Sequence, residues 1–234
     1  MSKGLSASAE GAGVAEVGRA RRRDPERTRE MILAAATAEF AAKGIGGARV
    51  DAIAASAGAN KRMIYHYFGS KKRLYLSVLE RMYAEIRDAE AALRLEQLEP
   101  RAAMRRLVEF SFDYYTDHPH FIRLLDNENL HKARNLKRSP GIRQRNSPLV
   151  AMIEDLLRRG ASTGEFRSGV NPVQLYISIA GLGYFYFANI HTLSEIFGIN
   201  FQAREARATR KQHVVDVILG FLRPEGSPRA LRSK

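Results

Sequence analysis

Apolar residues in this chain recur three and four positions apart, and no stretch alternates apolar with polar as a half-buried strand would. That periodicity restricts the chain to helices packed on helices. Asp24 is a good N-cap and Pro25 suits a first helical position. Ile32, Leu33, Ala36, Phe40 and Ala41 then form one stripe, which Gly44 ends. Short helices follow over 50–57 and, capped by Asn60, over 61–68, with Gly58 and Ala59 as the turn between them. Ser70 caps a long helix whose stripe of Leu74, Val78, Leu79, Met82 and Ile86 continues to about residue 98. Further helices are expected from Pro100, from Phe121, over 149–159, from Asn171-Pro172 to about His191, and over 204–222. The polar, Pro- and Gly-punctuated stretch 133–148 reads as a loop or a frayed helix. The expected fold class is all-α, with about nine helices.

A chain of 234 residues with 45% apolar content is long enough to bury a core without covalent staples. It has no cysteine, which excludes disulfides, thiolate metal sites and cysteine nucleophiles. Lys and Arg number 38 against 25 Asp and Glu, a net charge of +13, which suits a polyanionic partner. The most apolar window, 177–190, is shorter than the ~18–20 residues of a membrane span, and the N-terminus lacks the order of a signal peptide. The expectation is a cytoplasmic, nucleoid-associated protein that does not bind membranes. Residues 1–23 read as a flexible arm ending in Arg19, Arg21, Arg22 and Arg23. It is either a solvated tail or a basic arm for a DNA backbone or minor groove. Residues 224–234 read as a basic C-terminal tail.

The segment 50–72 carries the most information. Two short helices joined by a tight glycine turn form a helix-turn-helix. From Ala52 to Leu79 there is no acidic residue, whereas Lys61, Arg62, Lys71, Lys72 and Arg73 are basic, an asymmetry suited to phosphates. Lys61, Arg62 and Met63 open the second short helix, the end that enters the major groove in such motifs. An arginine there can bind guanine in bidentate fashion.

The run Val50-Asp51-Ala52-Ile53-Ala54-Ala55-Ser56-Ala57-Gly58, followed by Ile64-Tyr65-His66-Tyr67-Phe68-Gly69-Ser70-Lys71 and Leu74, resembles the TetR/AcrR family of bacterial transcriptional regulators. The resemblance is detailed over 24–79 and beyond that extends to helix number and length. It implies a three-helix DNA-binding domain over 24–70, then an α-helical ligand-binding and dimerisation domain over 71–223. By the same resemblance Thr28 would touch phosphate through its hydroxyl or amide. Lys61, Arg62, Met63, Tyr65 and His66 would face the groove, Tyr67 would give its hydroxyl to phosphate, and Lys71 would meet phosphate through its amine and the helix N-terminus. Arg49, also counted in the DNA-binding set, stands where the family usually has a Ser or Thr cap, and Arg62 where many members have Gly. Tyr65 and Tyr67 also read as core aromatics, His66 as an exposed bystander, and Lys72 and Arg73 as solvated.

In the second domain Phe110, Tyr114, Asn127, Glu128, Met152 and Tyr176 are candidates to line an effector pocket between helices, although each alone also reads as ordinary core or surface. A buried Glu128 would need a partner such as an arginine or a ligand amine. Six basic residues between Lys132 and Arg145 form either a solvated loop or an attractor for an anionic effector or for DNA. The helix near 179–189 carries Gly181, Gly183, Tyr184, Phe185, Tyr186 and Phe187. Glycines there suggest close helix approach, and aromatics on nearly all sides exceed what one core face needs. With Val214, Val217, Ile218 and Phe221 this reads as half of a homodimer interface, built on Gly181, Tyr184 and Phe187, or else as intramolecular core. A two-fold dimer would read a palindromic double-stranded operator with half-sites about 34–36 Å apart, or multiples of that.

The histidines are scattered, so no metal site is expected, and no cofactor fingerprint or nucleophile motif occurs. The expected function is a sequence-specific DNA-binding regulator, not an enzyme, acting as a repressor that a small-molecule effector releases from its operator. Two alternatives remain. A structural DNA-binding protein without effector control would bind random and operator DNA alike. An all-α enzyme or carrier would keep its activity when Lys61, Arg62 and Tyr67 are changed.

Overall fold

A computed structural model describes residues 25–224, apart from the side chains of Pro140, Arg143, Arg145, Asn146 and Ser147. The Asp24 cap, the arm 1–23 and all of the tail beyond Pro224 lie outside the described residues. The described chain is helical, in the order α1 (Pro25–Gly47), α2 (Val50–Ser56), α3 (Lys61–Phe68), α4 (Lys71–Ala91), α5 (Pro100–Asp117), α6 (Pro119–Leu130), α7 (Pro140–Ser162), α8 (Pro172–Ala188), α9 (Ile190–Phe197) and α10 (Arg204–Phe221). Single 3-10 turns occur at Leu95–Gln97 and Leu136–Arg138.

Three caps read from sequence are formed. The side-chain oxygens of Asn60, Ser70 and Asn171 accept from the amides of Met63, Arg73 and Gln174 at 2.9, 3.1 and 3.0 Å. The stripe of α1 is buried as expected: Ile32, Leu33, Ala36, Phe40 and Ala41 pack with Ile53, Ile64 and Phe68. At Gly44 the backbone turns left-handed, with φ 63°, and one further turn follows. A β-carbon there would sit 2.5 Å from Asn127 Oδ1, so glycine answers both the dihedral and the approach of α6.

Three expectations about element limits are corrected. The long helix after Ser70 ends at Ala91 rather than near residue 98, with Arg94 left-handed just beyond it. The stretch 133–148, expected as a loop or a frayed helix, is helical from Pro140 onward and continuous with the helix expected over 149–159, because Pro140 suits a first turn and Ile142 docks that turn in the core. The helix from Pro172 divides at Asn189, where α8 and α9 meet at 68°. Among the described residues no single helix is long and apolar enough to cross a membrane.

Two cores result. One joins α1–α3 to Leu74, Tyr75, Val78, Leu79, Met82 and Ile86 of α4 and continues into α5, α6 and the start of α7. The other lies among α5, α7, α8 and α10. Helices α1–α3 therefore share a core with α4–α6, and α1 packs chiefly on α6 and α4. A displacement of either reaches the first helix through tightly packed side chains.

Candidate nucleic-acid interface and the interior behind it

On α3, Ile64 and Phe68 point inward, which leaves Lys61, Arg62, Tyr65 and His66 exposed and Met63 and Tyr67 half-buried. The Asn60 cap fixes where this face begins. The Lys61 ammonium lies 3.0 Å from the Asp51 carboxylate of α2. Tyr67 meets His66 and Phe68 edge-on. Lys71, at the start of α4, reaches the Gly46 carbonyl at 3.5 Å. Arg49 precedes α2 with an exposed, non-capping side chain. Its backbone N–H instead donates to Glu39 Oε1 at 3.1 Å, and Lys43 donates to the same oxygen at 2.9 Å. The Lys43 bond, then the Arg49 amide, hold the Glu39 carboxyl below the usual carboxylate range. Glu39 was missing from the sequence reading, since the two positions are ten residues apart. Thr28 is 2% exposed and belongs to the interior, which disfavours the hydroxyl route to phosphate and leaves the route through its amide.

The six candidate effector residues do not converge on one site. Asn127 sits over Gly44, between α6 and α1. Glu128, 1% exposed, accepts from the Asn135 side chain at 2.8 Å and from the amides of Asn135 and Leu136, both at 3.1 Å. Its partner is the loop after α6, not an arginine or a ligand. Beside it, burial and then the Glu128 charge push the Tyr75 hydroxyl up. Phe110 contacts Tyr114, which stacks on His118 at 3.9 Å and borders an open groove between α1 and the α5–α6 corner. Met152 is half-buried on the second core.

Tyr176 leads to residues that the sequence reading missed. The Arg87 guanidinium lies 5.9 Å from its ring centroid. Arg87 Nη1 is 2.9 Å from Glu90 Oε2, and both side chains are more than nine-tenths buried. Among the described residues, Arg87 Nε and Nη1 and Glu90 Oε2 form no hydrogen bond of acceptable geometry. Burial, partly offset by Arg87, raises the Glu90 carboxyl to about 7. Burial also raises Tyr83 to about 12, with Tyr176 and Arg87 in electrostatic reach, and pushes Tyr115 up with Tyr176, Glu90, Arg87 and Tyr83 in reach. The signal was present: Met82, Ile86 and Glu90 are four apart, so an acid continues the buried stripe of α4.

The expected interface residues also divide. Gly181, Val217 and Phe221 are exposed and, with Ile177, Leu182 and Ile218, line a groove of about 400 Å³ between α8 and α10. Val214 and Ile218 are instead buried in the chain's own core. Tyr184 donates to Asp126 of α6, and Phe187 packs on Phe112 at 4.9 Å. Tyr184 and Phe187 turn inward because α8 is covered by α5 and α6 on that side, and Val214 and Ile218 because α10 packs on α5 and α8. Gly183, not Gly181, allows the close approach, since a β-carbon there would lie 3.0 Å from the Tyr115 ring. The outward ridge of α8 is Val173, Ile177, Gly181 and Phe185, four residues apart, with Ile177 54% exposed.

A short, capped helix with a basic outer face, set on an all-helical body with polar groups in its interior, defines a helix-turn-helix transcriptional regulator. The comparisons give the family. Residues 32–78 match the family of bacterial regulatory proteins, tetR family, and residues 100–218 match the tetracyclin repressor-like C-terminal domain. The chain belongs to the TetR family. It is 39% identical over 203 residues to the HTH-type transcriptional repressor NicS of Pseudomonas putida, covering 87% of this chain and 96% of that protein. It is 44% identical over 103 residues to the HTH-type transcriptional repressor SCO4008 of Streptomyces coelicolor, covering 44% of this chain and 50% of that one. Among solved structures, SCO4942 of Streptomyces coelicolor superposes with a TM-score of 0.62 at 27% identity, over 83% of this chain and 98% of that one. AibR, solved with isovaleryl coenzyme A and operator DNA, superposes with a TM-score of 0.62 at 16% identity and shares the fold.

Proposed function

We propose that the protein is a homodimeric repressor of transcription that holds a palindromic operator and leaves it when a small molecule binds inside the helical body. The observation that carries DNA reading is the outer face of α3. Lys61, Arg62, Tyr65 and His66 are exposed on a helix whose start is capped, and no acid occurs from Ala52 to Leu79. Lys61, Arg62 and Met63 read bases, with Tyr65 and His66 beside them, while Tyr67 and Lys71 hold the backbone. The two-fold arrangement uses the ridge of α8 with Val217 and Phe221 of α10, and its symmetry supplies two half-sites. NicS and SCO4008 both carry the name of repressor, which supports that direction of control.

Effector control runs along α4. Lys71 opens this helix at the DNA side, and Arg87 and Glu90 lie sixteen and nineteen residues further on, about 24–29 Å along its axis. A ligand that binds the form with the wrong half-site spacing more tightly shifts the population off DNA, and one with equal affinity for both forms shifts nothing.

The test is selection of bound sequences from random duplex DNA at ~150 mM salt, where non-specific phosphate binding is weakened. An enriched palindrome that disappears in the Lys61→Ala, Arg62→Ala double variant is the expected result. Binding that fades with salt and enriches nothing overturns it in favour of charge-driven, unspecific binding.

A further inference from the structure

Among the described residues, interior charges differ in how far they are satisfied. Glu128 is satisfied by three donors of its own loop. Arg159 spends Nε on Asp155 and its two terminal nitrogens on the carbonyls of Leu98 and Leu95, at 2.9–3.0 Å. Arg87 and Glu90 differ. They face each other at 2.9 Å, yet Arg87 Nε and Nη1 and Glu90 Oε2 are buried without a hydrogen bond among the described residues. Buried polar atoms left in this state are rare in native folds and call for a partner. A buried guanidinium carries five donors, and one neighbouring carboxylate cannot use them all.

The surroundings restrict that partner. With Glu90 ionised, the form that a bound ammonium group stabilises, Arg87 and Glu90 together are neutral. A ligand with a single charge would leave a net charge in the interior, whereas one that carries both signs leaves none. Nη1 and Oε2 are close neighbours, so the two complementary groups of the ligand must be neighbours too. The walls are aromatic: Arg87 lies over Tyr176, and Tyr83 and Tyr115 are within electrostatic reach of the pair. Such faces suit a ring.

We propose that the effector of this protein is a small aromatic zwitterion, whose carboxylate binds Arg87 and whose adjacent protonated nitrogen binds Glu90, with its ring against Tyr176. The proposal rests on the reading of α4–α8 as an effector body, and it names the ligand class which that reading leaves open. The site lies on α4 itself, so occupancy acts on the helix that begins at Lys71.

Titration calorimetry on the full chain tests it with five probes: phenylglycine and phenylalanine, which carry both charges beside a ring; phenylacetate and benzylamine, which carry one each; and alanine, which lacks the ring. One of the two aromatic zwitterions is expected to bind at least about tenfold more tightly than the other three probes, as two charge-assisted bonds imply. Arg87→Met is expected to erase its advantage over benzylamine, and Glu90→Gln its advantage over phenylacetate. Where a variant does not fold, Arg87→Lys or Glu90→Asp takes its place, and the ranking of probes on the unaltered chain decides alone. Equal binding by phenylacetate, benzylamine or alanine, no binding by any probe, or an undiminished preference in the folded variants overturns the assignment. Operator retention, measured separately, distinguishes two failures. A zwitterion that binds through Arg87 and Glu90 without releasing operator leaves the site standing and removes effector control. Release that ignores both substitutions removes the site and leaves effector control.

Discussion

Two buried carboxylates on neighbouring helices, Glu128 of α6 and Glu90 of α4, have equal claim to notice by burial alone. They differ in what surrounds them. Three donors from the loop that it closes bind Glu128, with the Tyr75 hydroxyl of α4 beside it, so the carboxylate is part of the scaffold. Glu90 has one arginine, tyrosines and an unfilled bonding capacity. Burial of a charge therefore does not by itself mark a binding site; the site proposed at Glu90 rests on burial together with donors and acceptors left over.

The comparison breaks or sharpens on four measurements. The largest effect is expected from Glu128→Ala, which strands two backbone amides and the Asn135 side chain. It should cost about 3–5 kcal/mol in urea unfolding. Glu90→Gln should stay within about 1 kcal/mol of the unaltered chain at pH 7, because a carboxyl raised to about 7 is half protonated there and the amide stands in for its neutral form. Equal losses in the two variants would remove the distinction between them.

The next effect is in pH dependence. The Glu90 carboxyl is raised by burial to about 7 from an ordinary 4.5, facing Arg87 on its own helix and Tyr114 and Tyr115 of α5. The folded chain then holds a proton that the unfolded chain has lost. Its contribution is complete below about pH 4.5, declines as pH rises towards 7 and is level above. Glu90→Gln should flatten that decline relative to the unaltered chain in melts taken at pH 5, 6, 7 and 8, and a parallel decline in both proteins would count against it.

Smaller effects calibrate the scale. Ser139 donates to Glu80 of α4 at 2.7 Å and pins the far end of the Glu128 loop, so Ser139→Ala should cost about 1 kcal/mol. Lys211 and Asp113 form a half-buried pair at 2.9 Å that solvent still screens, and Asp113→Asn should cost less than about 1 kcal/mol. A larger loss at Asp113 than at Ser139 would reverse the order that burial dictates.

The DNA-binding end was legible because its signals are local. Asn60, Gly69 and Ser70 act within three or four residues of themselves, and Lys61 to His66 are sorted by a single helical turn. The interior was not legible, because its pairings span the chain. Arg87 meets Tyr176 across 89 positions, Tyr184 meets Asp126 across 58, and Glu128 finds Asn135 only after the loop folds back. Periodicity identified the apolar side of α8 but could not separate the part covered by α5 and α6 from the ridge of Ile177 and Phe185. On a helix apolar all round, the neighbours decide. Glu90 lay within reach of the method, since an acid on the stripe of Met82 and Ile86 contradicts the stripe's own chemistry.

The Lys61–Asp51 pair has a consequence for how this protein meets DNA. Off DNA, Asp51 serves Lys61 as a tethered counterion, one that cannot diffuse away. If, as proposed, the ammonium moves to a phosphate or a base edge, the carboxylate is left behind and takes a cation from solution. One positive contact is gained, yet the ion balance of the complex changes by less than one contact. The steepness with which affinity falls with salt will then undercount the cations in the groove. Asp51→Asn, by cutting the tether, should make that fall steeper.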